Sequence, residues 1–252
     1  MIDIRNLSKN FGRLMAVRDL TLYVPQGELF CFLGPNGAGK TTTLKLLTGL
    51  LKPAAGFALI DGIDIAKQPV EAKRRIGYVP DSPFLYERLT AEEFFRFTAD
   101  LYGIESGVAD AKLEESFGLF SLLAQRQVLI KDLSHGMRQR LVYAATFLHE
   151  PRVLFIDEPL VGLDPYTIRL LKDLLIAKAR AGMTIFLTTH ILALAEDVAD
   201  RIGIIIDGRL AALGTLKELL DANGGGNLES MFLKLTGGNR DAAKRDSEHP
   251  SL

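Results

Sequence analysis

At 252 residues, 48% of them hydrophobic, the chain can bury one large core or two small ones that share a boundary. Its 30 Lys and Arg residues nearly balance 31 Asp and Glu, with no basic block of the kind that grips a nucleic-acid backbone. Apolar runs such as 141–148 fall far short of the ~20 residues that cross a bilayer, so a membrane-spanning role is excluded from this reading.

Taken in chain order, the start Met1-Ile2-Asp3-Ile4-Arg5 carries an acid at once, where a secretory signal would be basic and then apolar. The run Glu28-Leu29-Phe30-Cys31-Phe32-Leu33 predicts a strand, and its Cys31 reads as a buried structural thiol, which fits a reducing cytoplasm. Gly34-Pro35-Asn36-Gly37-Ala38-Gly39-Lys40-Thr41 follows, and a helical pattern occupies 40–51. Strand, glycine loop and helix together are the context for a phosphate-binding loop. Glycines let successive backbone N–H groups turn inward as an anion nest, Lys40 can reach the β- and γ-phosphates of a nucleoside triphosphate, and the Thr41 hydroxyl can sit on Mg²⁺.

Further strand-like runs at 57–60, 76–79, 153–156, 184–188 and 202–206 alternate with helical patterns at 168–181 and 191–198. That alternation predicts an α/β protein whose sheet has parallel members joined by crossover helices. Between 90 and 150 no strand is apparent. The capping box Thr90-Ala91-Glu92-Glu93 opens a helix with Phe94, Phe97 and Leu101 on its period, and a second follows with Leu113, Phe117 and Phe120. A mainly helical insertion over about 85–150 is therefore expected. Asp207-Gly208 predicts a tight hairpin turn, and Thr215-Leu216-Lys217-Glu218 caps one more helix. The core is expected to close near Ala222, giving a domain over 1–222. After Gly224-Gly225-Gly226, a short helix carries Leu228, Met231, Phe232 and Leu235, and the polar stretch 237–252 is expected to be disordered.

Two further segments carry chemistry. Val153-Leu154-Phe155-Ile156-Asp157-Glu158 is four apolar residues ending in two acids, which suits a buried strand that delivers carboxylates at its carboxyl end. There Asp157 would hold Mg²⁺, usually through water, and Glu158 would polarise an attacking water. The bland alternative is a pair of solvated acids at a strand end. In Leu133-Ser134-His135-Gly136-Met137-Arg138-Gln139-Arg140, Ser134 sits as an N-cap, and its hydroxyl with the first-turn N–H groups could meet an anion or simply cap the helix.

The glycine loop, the Ser134 segment, the Asp157-Glu158 pair, Gly162-Leu163-Asp164 and Thr188-Thr189-His190 occur in the order found in ATP-binding cassette (ABC) ATPases. From about residue 2 to 222 the chain resembles the nucleotide-binding subunit of an ABC transporter. The resemblance implies a P-loop NTPase core with a mixed sheet and a mainly helical signature subdomain. It also implies ATP and Mg²⁺ as cofactors and a homo- or heterodimer paired head to tail. Phe11 would then stack on adenine, and Ser134 and Gly136 of one copy would contact the γ-phosphate held by Gly37, Gly39, Lys40, Thr41 and Thr42 of the other. Asp164 would cross the dimer, and His190 would hydrogen-bond the γ-phosphate and orient the water.

Three positions in two segments depart from the family pattern. His135 and Met137 stand where Gly and Gln are commonest, and Asp81 stands where the family has a glutamine. A carboxylate is shorter than Gln and accepts without donating, so Asp81 is expected near the metal as an acceptor. The resemblance further implies a separate transmembrane permease, docked on the insertion around Phe84, Leu85, Tyr86 and Leu89, and a chain peripheral to the inner face of the cell membrane. The short terminal helix is similar to that of export-type subunits. Rival readings are a soluble ABC ATPase acting on ribosomes or DNA and an ATP-binding regulatory subunit with slow turnover. His149 and His249 take no role, and no His/Cys cluster suggests zinc.

Overall fold

In the computed structural model, which describes residues 1–160 and 163–237, two sheets share a layered core. An antiparallel four-stranded sheet is ordered β2 (Leu14–Val24), β1 (Ile2–Phe11), β4 (Ala55–Ile60) and β5 (Ile63–Asp64). The N-terminal hairpin escaped the strand reading because register shifts along β1 break the alternation of two that marks a half-buried strand. Asn6 and Asp19 take left-handed backbone at these irregularities, and the Asn6 amide donates to the Asp19 carboxylate across the pair at 2.8 Å.

The second sheet has six strands. Its parallel members are β9 (Arg201–Ile206), β3 (Leu29–Leu33), β8 (Thr184–Thr189), β7 (Val153–Asp157) and β6 (Ile76–Val79), and the antiparallel β10 (Arg209–Gly214) closes one edge. The expected α/β class and mixed sheet are thus present. Central strand β3 is buried on both faces. Leu29, Cys31 and Leu33 face one apolar cluster, while Phe30 and Phe32 face the other, where their rings pack on Phe186 at 5.2 and 5.3 Å. Burial raises the Cys31 thiol pKa, in keeping with a structural role.

Crossovers are helical: α1 (Lys40–Leu47), α2 (Pro69–Lys73), α6 (Pro165–Arg180) and α7 (Leu192–Val198) flank the sheets, and α8 (Leu216–Ala222) follows β10. Between β6 and β7 the chain inserts α3 (Ala91–Leu101), α4 (Ser106–Leu119) and α5 (His135–Phe147), the expected helical unit. Both expected capping boxes form, at Thr90 with Glu93 and at Thr215 with Glu218. Inside the insertion Phe95 meets Phe117 edge to face at 5.4 Å, and Glu92 gathers Arg96, Arg126 and Gln127.

The core does not close at Ala222. Residues 228–237 are helical, and Leu228 and Met231 are buried in the larger cluster, because the glycine turn at 224–226 folds their apolar face back on the domain. The remainder of the tail, 238–252, lies outside the described residues, as does Gly162. Among the described residues no helix is long and apolar enough to cross a membrane.

Candidate nucleotide site

The loop between β3 and α1 takes the shape its glycines permit. Gly39 has φ of +106°, and a Cβ there would lie 2.3 Å from the Ala16 carbonyl oxygen; one at Gly34 would lie 2.5 Å from that of Ile205. Any larger residue would push the loop off its neighbours. Because Gly39 supplies no side-chain cap to α1, the helix opens with first-turn N–H groups that lack intrahelical acceptors, a partial positive charge suited to phosphate. Lys40 is only 6% exposed, and its Nζ donates to the carbonyls of Gly34 at 2.7 Å and Pro35 at 3.2 Å.

Backbone bonds fix this loop to distant strands. Gly34 N–H donates to Thr189 O, Gly208 N–H to Ala38 O, and Arg18 N–H to Gly208 O at 2.7 Å. A cleft of about 860 Å³ opens above it, lined by Phe11, Asn36, Gly37, Gly39, Lys40, Thr41, Thr42, Asp81 and Glu158. Gly34, Pro35 and Ala38 support the loop from beneath: Ala38 is buried and its N–H is already given to Pro35 O. Phe11 stands half-exposed at the cleft rim at the end of β1, with the Lys9 ammonium 5.4 Å above its ring.

At the carboxyl edge of the sheet, Asp157 ends β7 and is buried, and Thr188 on the neighbouring strand donates its hydroxyl to it at 2.5 Å. Glu158 follows with left-handed backbone, φ 49°, a conformation uncommon outside glycine that turns its side chain into the cleft. Its Oε1 lies 3.0 Å from His190 Nδ1 and 3.6 Å from Lys40 Nζ, and its Oε2 accepts from the Thr189 hydroxyl at 3.3 Å. The structure therefore brings the three expected catalytic side chains together. Asp81 enters the same cleft. Partial burial, then the carboxylates of Asp157 and Glu158, push its pKa above the usual range, with His135 and His190 opposing. Tyr78 beneath them is pushed up to about 12 by burial and by Asp157 and Asp81.

Ser134 and Gly136 do not line this cleft. Ser134 caps α5 by accepting the Met137 N–H at 3.3 Å and remains exposed. Asp164 caps α6, accepting from the Thr167 N–H at 3.0 Å and its hydroxyl at 2.7 Å, bonds that hold its carboxyl below the usual range. Sequence reasoning missed part of the wall: Leu14, Met15, Ala16, Arg18, Asp207 and Gly208 all line the cleft. The Asp207-Gly208 turn was legible as a turn, but nothing local placed it against the phosphate loop. The hydroxyls of Thr188 and Thr189 are a second omission, since they orient Asp157 and Glu158.

Residues 17–161 match the ABC transporter family. Over 222 residues, 87% of its length, the chain is 38% identical to the "Probable multidrug ABC transporter ATP-binding protein YbhF" of Escherichia coli K12, and the match spans 38% of that relative's length. The chain thus spans well under half of this curated relative. Among solved structures it is similar to an ATP-binding subunit of an ABC transporter, with a TM-score of 0.89 and 34% identity over 93% of this chain and 99% of that one. It is also similar to the ATP-binding cassette MJ0796, dimeric and bound to ADP and Pi in a post-hydrolysis state, with a TM-score of 0.77 and 25% identity over 86% of this chain and 99% of that one. The chain belongs to the ABC transporter family.

Proposed function

We propose that the chain hydrolyses Mg-ATP between two head-to-tail copies and thereby drives export through a separate permease at the inner face of the membrane. The observation that carries this reading is the Glu158 carboxylate, held between His190 and Lys40 in the cleft above the phosphate loop. A regulatory subunit that only binds ATP has no use for a partly buried base oriented by a histidine. The multidrug relative supports export, and the dimeric cassette supports the paired arrangement.

The residues present fit Mg²⁺. Among the described residues no cluster of three or more His, Cys, Asp or Glu could hold a metal without help, and Mg²⁺ customarily takes one or two carboxylates and completes its shell with phosphate and water. Thr41 and Asp157 would hold it, with Asp81 as an acceptor at its edge, and the ion would neutralise charge on the β- and γ-phosphates. Within the chain, Lys40 and the first-turn N–H groups of α1 bind the phosphates, Phe11 stacks on the base, and Glu158 accepts the proton of a water that His190 orients. Ser134, Gly136 and Asp164 would act across the dimer, which agrees with the absence of the first two from their own cleft.

Asp81 is expected to act as a metal-linked acceptor. Asp81→Asn should weaken Mg²⁺ dependence and hydrolysis together, whereas Asp81→Gln, longer and able to donate, should restore turnover. Identical Mg²⁺ titrations of ATPase for all three proteins would make Asp81 a solvated loop residue.

The permease contact is assigned to the insertion. Phe84 is 95% exposed and Tyr86 is exposed, while Leu85 and Leu89 pack partly into the domain. A groove of about 540 Å³ runs from Pro80, Phe84 and Leu85 across Phe94 and Tyr102 to Val142. Charged substitutions at Phe84 and Leu85 should abolish recovery of the permease from membranes while leaving basal ATPase and folding intact. Full recovery with both changes in place would remove docking from this groove.

A further inference from the structure

Asp61-Gly62 and Asp207-Gly208 are hairpin turns made of the same two residues. The first joins β4 to β5 with Ile60 paired to Ile63, and the second joins β9 to β10 with Ile206 paired to Arg209. Their backbones match: φ is 50° and 80° in the first and 48° and 77° in the second, left-handed at both positions as a tight hairpin of this kind requires. Their surroundings do not. Gly62 is exposed and a Cβ there would meet nothing within 4 Å, whereas Gly208 is buried and its Cβ would lie 2.8 Å from the Ala16 carbonyl oxygen.

That oxygen, on β2, is hemmed in from two sides. The phosphate loop closes on it at Gly39, where a Cβ would lie 2.3 Å away, and the β9–β10 turn closes on it at Gly208. Gly208 also commits both of its backbone groups to this junction. Its N–H donates to the Ala38 carbonyl inside the loop at 3.0 Å, and its carbonyl accepts from the Arg18 N–H on β2 at 2.7 Å. Turn residues lie outside the strand ladder, so these bonds contribute nothing to the hairpin itself. The same hairpin reaches the loop again through Ile205, whose carbonyl oxygen would lie 2.5 Å from a Cβ of Gly34. Three backbones thus meet at Ala16 with no side chain between them, and glycine at 39 and 208 leaves the space for it.

We propose that Gly208 is a positioning residue for the nucleotide's phosphates, holding the Ala38 and Gly39 peptides from outside the phosphate loop so that the loop's N–H groups converge on one place. The proposal rests on the nucleotide reading of the cleft and adds to it a residue remote in sequence. A side chain at 208 must move the turn off Ala16, and the N–H given to Ala38 moves with it. The loop then keeps its sequence and its Lys40 but loses a support for its curvature. Glu158 and His190 come from the ends of β7 and β8 instead, so the chemical step depends far less on this turn.

The test measures displacement of a fluorescent ATP analogue from the full chain by ATP and by inorganic tripolyphosphate, which has no base, in Gly208→Ala, Gly208→Asn and Gly62→Ala. Gly208→Ala should weaken both ligands by the same factor, about tenfold, the effect of one lost positioning hydrogen bond. Asparagine tolerates left-handed backbone but still carries a Cβ, so Gly208→Asn should show the same loss of affinity with less loss of stability. Gly62→Ala places the same backbone strain in a matching turn, and it should lower the melting temperature while both affinities stay at the unmodified value. In steady-state hydrolysis Gly208→Asn should raise KM for ATP about tenfold and change kcat by less than about twofold. Unchanged affinity for tripolyphosphate in both Gly208 variants, a fall in kcat with KM unmoved, or an equal loss of affinity in Gly62→Ala overturns the inference. An unmodified chain that binds neither ATP nor tripolyphosphate fails the nucleotide reading instead, and the inference with it.

Discussion

Replacing Glu158 by Gln should slow ATP hydrolysis by roughly 10²–10⁴-fold, the usual contribution of a positioned general base, while ATP binding persists. The carboxylate has three neighbours with distinct roles: His190 at 3.0 Å, the Thr189 hydroxyl at 3.3 Å and the Lys40 ammonium at 3.6 Å. An amide of the same shape keeps the packing and can still accept from Thr189, but it cannot take a proton from water. Lys40 keeps its two carbonyl partners, so the phosphate loop should hold its form. Since binding outlasts chemistry, an ATP-bound dimer should accumulate and be visible by light scattering. Wild-type turnover in this variant would assign the base elsewhere; a monomer in saturating ATP would count against the paired arrangement.

Lys40→Ala should abolish ATP binding, a loss of at least about 100-fold, because a charge-assisted bond to phosphate contributes about 1.5–3 kcal/mol and Lys40 is placed to make more than one. Its burial adds a second effect. The ammonium is sequestered under the loop on the carbonyls of Gly34 and Pro35, and its removal leaves both without that donor. Some loss of stability, about 1–3 kcal/mol, should accompany the loss of binding. Denaturant unfolding measured beside nucleotide titration separates the two, since a protein still folded at the titration temperature must owe its lost affinity to the missing charge. Unchanged affinity would refute the phosphate-loop assignment.

The two substitutions divide the site in a useful way. On the proposed reading Lys40 would act on binding through charge and Glu158 on chemistry through proton transfer, although the side chains lie 3.6 Å apart. Thr188 and Thr189 hold the acids from the adjacent strand, so changes there should disturb chemistry before binding.

What the sequence determined by itself is local. The phosphate loop, the strand that ends in Asp157 and Glu158, the caps at Thr90, Ser134 and Thr215, and the Asp207-Gly208 turn each depend on residues within a few positions of one another, where spacing fixes geometry. The bulged N-terminal hairpin was the local element that stayed hidden, since its register shifts erase the alternation that marks a strand. Tertiary structure decided everything that depends on which strands lie side by side. The order β9, β3, β8, β7, β6 sets Thr188 beside Asp157 and carries His190 to Glu158. The other sheet and the β9–β10 turn bring Phe11, Arg18 and Gly208 around a loop remote from them in sequence. The return of Leu228 and Met231 to the core belongs to the same class. Pairing between distant segments is chosen by the burial of whole faces against one another, an energy summed over many residues, and no short stretch of chain carries it.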